Sequence, residues 1–200
     1  MKLLTKLASA LSAVVLSGCT VFGTSNVDSP NYQVLQKDGD FEIREYPKLT
    51  LVIADANPSM SERSSSRSNF GRLFDYISGE NESGQEFSMT APVIMEPGLT
   101  SMSSKMVFVL PSGVNQAPEA AGLQTQTLSD AKFAAYRFNG KLDKLNFEEA
   151  KLKLSTWMTR NNISGVSNTA YAAGYNAPWT INYFNTNDVL IPLEQGSLIK

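Results

Sequence analysis

The fold class this sequence predicts is α+β, with mostly antiparallel strands and two helices packed outside them. Three observations carry that. Phe41-Glu-Ile-Arg-Glu-Tyr46 alternates apolar and polar residues, the period of a half-buried strand. Two stretches place apolar residues at helical spacing: Phe70, Leu73, Phe74 and Ile77, then Phe147, Ala150, Leu154, Trp157 and Met158. The whole order reads ββ(β)–helix–ββ–ββ–helix–ββ. Each half has strands, one helix, then strands, a pseudo-repeat of order without matching residues.

Composition bounds what such a domain can do. Two hundred residues suit one domain, two at most, and 42% hydrophobic with 18% charged residues supports a sizeable core. A formal charge of −2 and a pI of about 5.2 show no basic stripe, so no nucleic-acid partner is expected. The chain has no histidine and a single cysteine, Cys19. That removes histidine-based triads, histidine-ligated zinc or haem, intramolecular disulfides and cysteine-cluster metal sites.

The N-terminus reads as a targeting segment. Lys2 and Lys6 precede a short apolar run, Leu7 to Leu16, far short of the ~20 residues that span a bilayer. The run closes on Leu16-Ser17-Gly18-Cys19, which resembles a bacterial lipobox. Residues 1–18 are then a signal peptide, Cys19 is lipidated, residues 19–30 are the lipidated cysteine and a polar tether, and residues 31–200 are the folded domain. Each acyl chain on Cys19 would add roughly 0.8 kcal/mol per buried CH₂ at a lipid bilayer. Thr20 follows where an Asp would signal inner-membrane retention. By similarity to Gram-negative lipoproteins, the protein is expected at the periplasmic face of the outer membrane. The bland alternative is a buried N-terminal helix with a stray cysteine.

Tyr32 to Lys37 opens the fold as a strand, and Asp38-Gly39 signals a hairpin into Phe41–Tyr46. Pro47 is read as a break, with a third, more uniformly apolar strand over Leu49 to Ala56. A helix follows between Ser59 and Gly79, stopped by the glycine. Its start is open, because Ser61 to Ser68 is a poor helix former. If it is helical, Arg63 and Arg67 fall within about 60° of Phe70 and extend the apolar face with positive charge, while Arg72 points about 160° away. If it is not, both arginines sit on a solvated turn.

Gln85 to Met95 is a strand candidate. Pro92 inside it requires an edge, bulge or bend, and a strand bent beside a helix can open a cavity. Lys105 to Leu110, Leu123 to Leu128 and Ala131 to Phe138 are further strands. The second helix has Asn146 and Glu149 as a capping box and Gly165 as its stop. Thr169 to Tyr175, the turn Asn176-Ala-Pro178-Trp179 and a strand over Asn187 to Leu193 complete the chain.

Five motifs together resemble the SOUL/haem-binding protein family: Phe41–Tyr46, Phe70-x-x-Leu73-Phe-x-Tyr-Ile77-x-Gly79-x-Asn81, Met89-Thr-Ala-Pro-Val93, Phe133-x-x-Tyr136-x-Phe138-x-Gly140, and Ala173-Gly-Tyr175-Asn176-x-Pro178 with Asn187-Asp-Val189. They span about residues 32 to 193. The resemblance implies a distorted eight-stranded β-barrel with two flanking helices, from two β-α-β-β repeats. It also implies a non-covalent tetrapyrrole, haem or another, in an apolar groove beside the first helix, with basic residues on the propionates. Without histidine, an axial ligand would have to be Tyr or Met.

On that reading the candidate ligand-binding residues are Arg63, Arg67, Phe70, Phe74, Ile77, Met89, Tyr175 and Trp179. Each has a structural alternative. Phe70, Phe74 and Ile77 also suit the core, Met89 suits a gap-filler, Tyr175 and Trp179 suit a barrel cap, and the arginines suit solvent. No paired carboxylates, phosphate loop or nucleophile–base pair stands out, so the expectation is a non-enzyme without a structural metal. The expected partners are the bilayer through Cys19 and a hydrophobic small molecule. Two other functions stay open: a structural or interaction module of the cell envelope, and a binder of a different amphipathic small molecule.

Overall fold

The structure, a computed structural model, describes residues 27–55, 62–97, 105–166, 169–176 and 185–193, with side chains from residue 68 onward in the first helix. Cys19, Trp179 and the side chains of Arg63 and Arg67 lie outside the described residues. Nine elements follow one another: β1 (Gln33–Asp38), β2 (Phe41–Asp55), α1 (Glu62–Ile77), β3 (Val93–Glu96), β4 (Lys105–Val109), β5 (Gln124–Asn139), α2 (Lys144–Arg160), β6 (Tyr171–Gly174) and β7 (Thr186–Pro192).

Six strands close an antiparallel barrel in the order β2-β4-β3-β6-β7-β5, with β5 pairing back to β2. β1 lies outside the ring as a hairpin partner of the first half of β2. The α+β barrel stands, but the described residues hold seven strands rather than eight. The order long strand, helix, two strands occurs once in each half of the chain.

The nine strand candidates of the sequence become seven because two expected breaks, at Pro47 and between Leu128 and Ala131, are bends inside continuous strands. Pro47 does not end β2. Pairing to β1 stops at Glu45 and pairing to β4 starts at Leu51, so Pro47 sits where that edge of β2 has no neighbour and its missing N–H breaks no ladder bond there. On the other edge Tyr46 pairs with Ala131 and Lys48 with Ser129, which sets Pro47 opposite Asp130. Asp130 has a left-handed φ of 52°. Inward-facing residues shift parity at this point in both strands, from Tyr46 to Leu49 and from Leu128 to Ala131. Each strand carries the same irregularity, so the register between them runs on undisturbed.

The parity shift also distributes the outer faces. Ile43, before the bend, packs under α2 with Ala134, Val189 and Ile191. Val52 and Ala54, after it, pack under α1 with Met106 and Phe108. The barrel interior is a third apolar core, including Leu51, Ile53, Val107, Phe133 and Tyr171.

α1 buries Asn69, Leu73, Tyr76 and Ile77 and turns Phe74 outward, 48% exposed. Gly79 ends it with a φ of 104°. Asn81 then fixes the exit, its amide donating to Tyr76 O at 3.0 Å and Gln85 O at 2.7 Å. α2 starts one turn earlier than the Asn146–Glu149 box: its N-cap is Asp143, whose carboxylate accepts from Asn146 N at 3.1 Å. It also ends earlier, at Arg160 with Asn161 as C-cap, rather than at Gly165. Gly165 instead lies where a Cβ would come within 2.8 Å of Ile191 and 2.9 Å of Met158.

The expected strand from Gln85 begins only at Val93. Before it, Phe87 N donates to Ile77 O at 2.8 Å and Ala91 N to Asp28 O at 2.8 Å. Thr90 Oγ1 donates to Val109 O. Met89–Val93 thus ties the start of the domain and the end of β4 to the barrel.

Candidate functional site

The barrel interior is lined by apolar side chains along its length, and one end carries buried charged groups. Glu42, Arg44 and Tyr46 point inward, with 8%, 1% and 6% exposure. The polar residues of Phe41–Tyr46 are therefore not on a solvated face, as half-burial would have them. Both faces of this strand are covered, and the polar one is held by a network.

Asp188, fully buried on β7, is its centre. It accepts from Arg44 Nη1 at 2.6 Å, from Arg137 Nε and Nη2 at 2.9 and 3.1 Å, and from Tyr175 OH at 2.7 Å. Arg44 Nε also donates to Glu42 Oε2 at 2.8 Å, and Lys37 to Glu42 Oε1 at 2.7 Å. Arg44 lies over the Tyr32 ring and Arg137 over the Tyr175 ring, at 4.7 and 5.2 Å.

Burial alone would raise the Asp188 pKa, but hydrogen bonds from Arg137 and the nearby charge of Arg44 outweigh it and hold the carboxyl below its ordinary value. Burial alone would lower that of Arg44, and Asp188 reverses it. Tyr175 is pushed well above the ordinary tyrosine value, first by burial and then by the Asp188 charge. The site keeps Asp188 ionised and Tyr175 neutral. These groups hold one another in a single network.

Outside the barrel lie two helix-covered faces, and a small cavity of about 230 Å³ opens beside Tyr32, Glu45, Pro47 and Asp130. On the α1 face Phe70 and Phe74 stack, centroids 6.3 Å apart at 14°, and Phe70 meets Phe108 edge-on at 5.4 Å. Phe87, Met89, Val93 and Met95 surround that core as partly buried side chains. Ile77 is 5% exposed and belongs to the packing beneath. Arg72 reaches the Gly122 carbonyl. Of the residues singled out from sequence, the structure groups Phe70, Phe74, Met89 and Ile77 around α1 and sets Tyr175 apart in the barrel plug.

On the opposite face, a cavity of about 490 Å³ opens between α2 and the end of β5. One stripe of α2, Asn146, Glu149, Ala150 and Lys153, faces Tyr136 and Phe138 across it. These rings end an aromatic ladder. Trp157 stacks on Phe41 at 5.3 Å, Phe41 on Tyr136 at 4.7 Å, and Tyr136 on Phe138 at 6.4 Å. Trp157 Nε1 anchors the ladder by donating to Asp38 at 2.8 Å.

The plug and this cavity are what sequence reasoning missed as a site. Glu42, Arg44, Tyr136, Phe138 and Asp188 all lie in stretches read as strands, and Tyr175, singled out as a ligand contact, belongs to the plug. A strand with charged residues at the positions of its inward parity was the available signal. Among the described residues no three acidic or thiol side chains converge where a metal could sit, and no helix is long and apolar enough to cross a membrane.

Solved structures share the fold. A hydrolase from Listeria innocua superposes with a TM-score of 0.54 at 7% identity, covering 77% of this chain and 91% of that one. The C-terminal domain of EcmrR gives 0.56 at 13% identity, covering 82% and 98%. At such identities the likeness is one of fold alone. Human Heme-binding protein 2 is 25% identical over 174 residues, 81% of this chain and 83% of that protein. Residues 27–192 match the SOUL heme-binding protein family over nearly all of the described barrel, and the chain belongs to that family.

Proposed function

We propose that the protein binds haem or another tetrapyrrole, without catalysing a reaction, on the apolar face of α1. The observation that carries this, within a family described as heme-binding, is Phe74. A Phe 48% exposed on an otherwise buried stripe, stacked on Phe70, offers a flat apolar surface with its partner already ordered.

These residues fit the plane of a porphyrin. They do not fit its iron through histidine, since the chain has none. The ring would be held by Phe70 and Phe74, with Met89 at the edge of the same cluster, and Arg63 and Arg67 from the first turns of α1 meeting the propionates. When bound, such a group supplies a conjugated macrocycle and a metal centre, and the chain supplies contact and orientation. Anchoring through a lipidated Cys19 at the outer membrane is part of the proposal and rests on the Leu16–Cys19 sequence. Its check is simple: Cys19→Ser should move the protein from the membrane to the soluble fraction.

A hemin titration followed at the Soret band tests the binding. Phe74→Ala should weaken hemin about three- to tenfold, the worth of an aromatic pair. Absence of a saturable Soret change in the wild-type protein ends the tetrapyrrole reading. Unchanged affinity in Phe74→Ala ends the α1 site.

One observation favours a second reading as an envelope interaction module. Leu145 and Leu152, seven residues apart on α2, are 78% and 67% exposed. Should a complex formed by the wild-type protein in its membrane persist unaltered in the Leu145→Glu/Leu152→Glu variant, these leucines have no such role.

A further inference from the structure

We propose that the cavity between α2 and the end of β5 is a second binding site, independent of the α1 face, for an uncharged polyhydroxylated ring, a saccharide. Its volume of about 490 Å³ suits a small ligand. Chemistry narrows the class.

The aromatic ladder Trp157–Phe41–Tyr136–Phe138 ends at Phe138, a partly buried ring in the cavity wall. A flat apolar face laid there continues the stack. Around it the groups are polar but mutually neutralised. Lys153 Nζ and Glu149 Oε1 pair at 2.7 Å. Arg137 shares Asp188 with Arg44 and is 42% exposed, and the carboxylate of Asp40 is also in the lining, so two cations and two carboxylates line the cavity and their formal charges cancel. Neither an anionic tetrapyrrole nor a polyphosphate finds an uncompensated positive field.

The other lining groups are the amides of Asn139 and Asn146 and the hydroxyl of Thr186. Each can donate and accept. Groups of this type match hydroxyl and acetamido substituents, which themselves donate and accept. A sugar ring combines both requirements: an apolar C–H face for Phe138 and an equatorial belt of hydroxyls for the polar rim. Asn146 Nδ2 already donates to Lys141 O at 2.8 Å and Thr186 Oγ1 to Asn139 Oδ1 at 3.5 Å, so ligand hydroxyls would meet the remaining donor and acceptor positions of these groups.

The probe is the β-1,4-linked tetramer of N-acetylglucosamine, titrated into the full-length protein and followed by amide NMR shifts and calorimetry. Saturable shifts are expected at Asn139, Asn146, Lys153 and Thr186. Phe138→Ala should weaken binding about three- to tenfold. Lys153→Ala removes a surface side chain outside the core, so it guards against misfolding of the first variant, and it should weaken binding as well. Phe74→Ala should leave saccharide affinity unchanged, and Phe138→Ala should leave the hemin response unchanged, so the two sites fail separately. The proposal is overturned by absence of saturable shifts at millimolar probe, by shifts confined to other faces, or by affinity that neither cavity variant alters.

Discussion

Asp188→Ala should be among the most damaging single substitutions in the molecule. Asp188 is fully buried and accepts four hydrogen bonds, three of them from two guanidinium groups. The loss falls unevenly. The Arg137 side chain is 42% exposed and can rehydrate, whereas that of Arg44 is 1% exposed and cannot. Of its two carboxylate partners Arg44 would keep only Glu42, with the Tyr32 ring beside it, and the Tyr175 hydroxyl would lose its acceptor. Removing one member of a buried ion pair costs about 3–5 kcal/mol, because an uncompensated charge stays behind. With a urea slope of about 2 kcal/mol per molar, the midpoint should fall by about 2 M. Urea unfolding followed by far-UV circular dichroism measures it, and a cycle with Arg44→Met should give a coupling of about 1–3 kcal/mol. A cost below about 1 kcal/mol, or additive single variants, would refute the idea that Asp188 holds the plug. The pH dependence has a definite sign. A carboxyl held below its ordinary value stabilises the fold above that value, and the contribution disappears as pH falls through the folded pKa. At neutral pH the network acts in full, and Asp188→Ala should flatten the acid limb of the stability profile.

Three further outcomes follow from local geometry. Gly165→Ala places a methyl against the stiff branched Ile191 and the mobile end of Met158, and should lower stability by about 1–3 kcal/mol in thermal melts. Asp143→Ala removes the N-cap of α2 and should cost about 1 kcal/mol; Glu149→Ala at the expected capping-box position should cost less, and the reverse order would contradict the observed cap. Burial pushes the hydroxyls of Tyr46 and Tyr76 up to about 12. Their protonated forms stabilise the fold fully below the ordinary value near 10, and stability should decline from there as pH rises through 12, read by tyrosinate absorbance alongside circular dichroism.

Much of this was legible in the residues, and the failures have a common cause. The helices were visible because each presents one face to a barrel, so Leu73 and Ile77, or Phe147, Leu154 and Trp157, recur at helical spacing, although Phe74 of the expected stripe is exposed. Strands were harder because this barrel buries both their faces. Alternation in Phe41–Tyr46 located the strand and then misassigned its polar side, since pattern alone cannot distinguish water from a salt-bridge plug as the partner of Arg44. Pro47 looked like a terminator because the sequence does not show that this edge of β2 is open there. Asp143 was passed over for Asn146 because either residue can cap, and only the backbone decides which stands at the first turn.

The same packing bears on where a ligand can bind. Leu51, Ile53, Val107, Phe133 and Tyr171 pack inside the barrel, and Asp188 centres a charged network at one end. The two proposed sites lie on the helix-covered faces, which differ in kind. The α1 face presents an apolar ring surface without a rim of its own among the described side chains. The α2 face presents a cavity whose apolar rung is bordered by amides, a hydroxyl and a closed ion pair. Matching apolar and polar groups to each surface separates a planar macrocycle on α1 from a hydroxylated ring beside α2. The absence of histidine matters only for the first. It removes histidine as an axial ligand, so at the proposed α1 site ring contact with Phe70 and Phe74 would carry much of any tetrapyrrole affinity, and Phe74 is the residue whose loss should be felt.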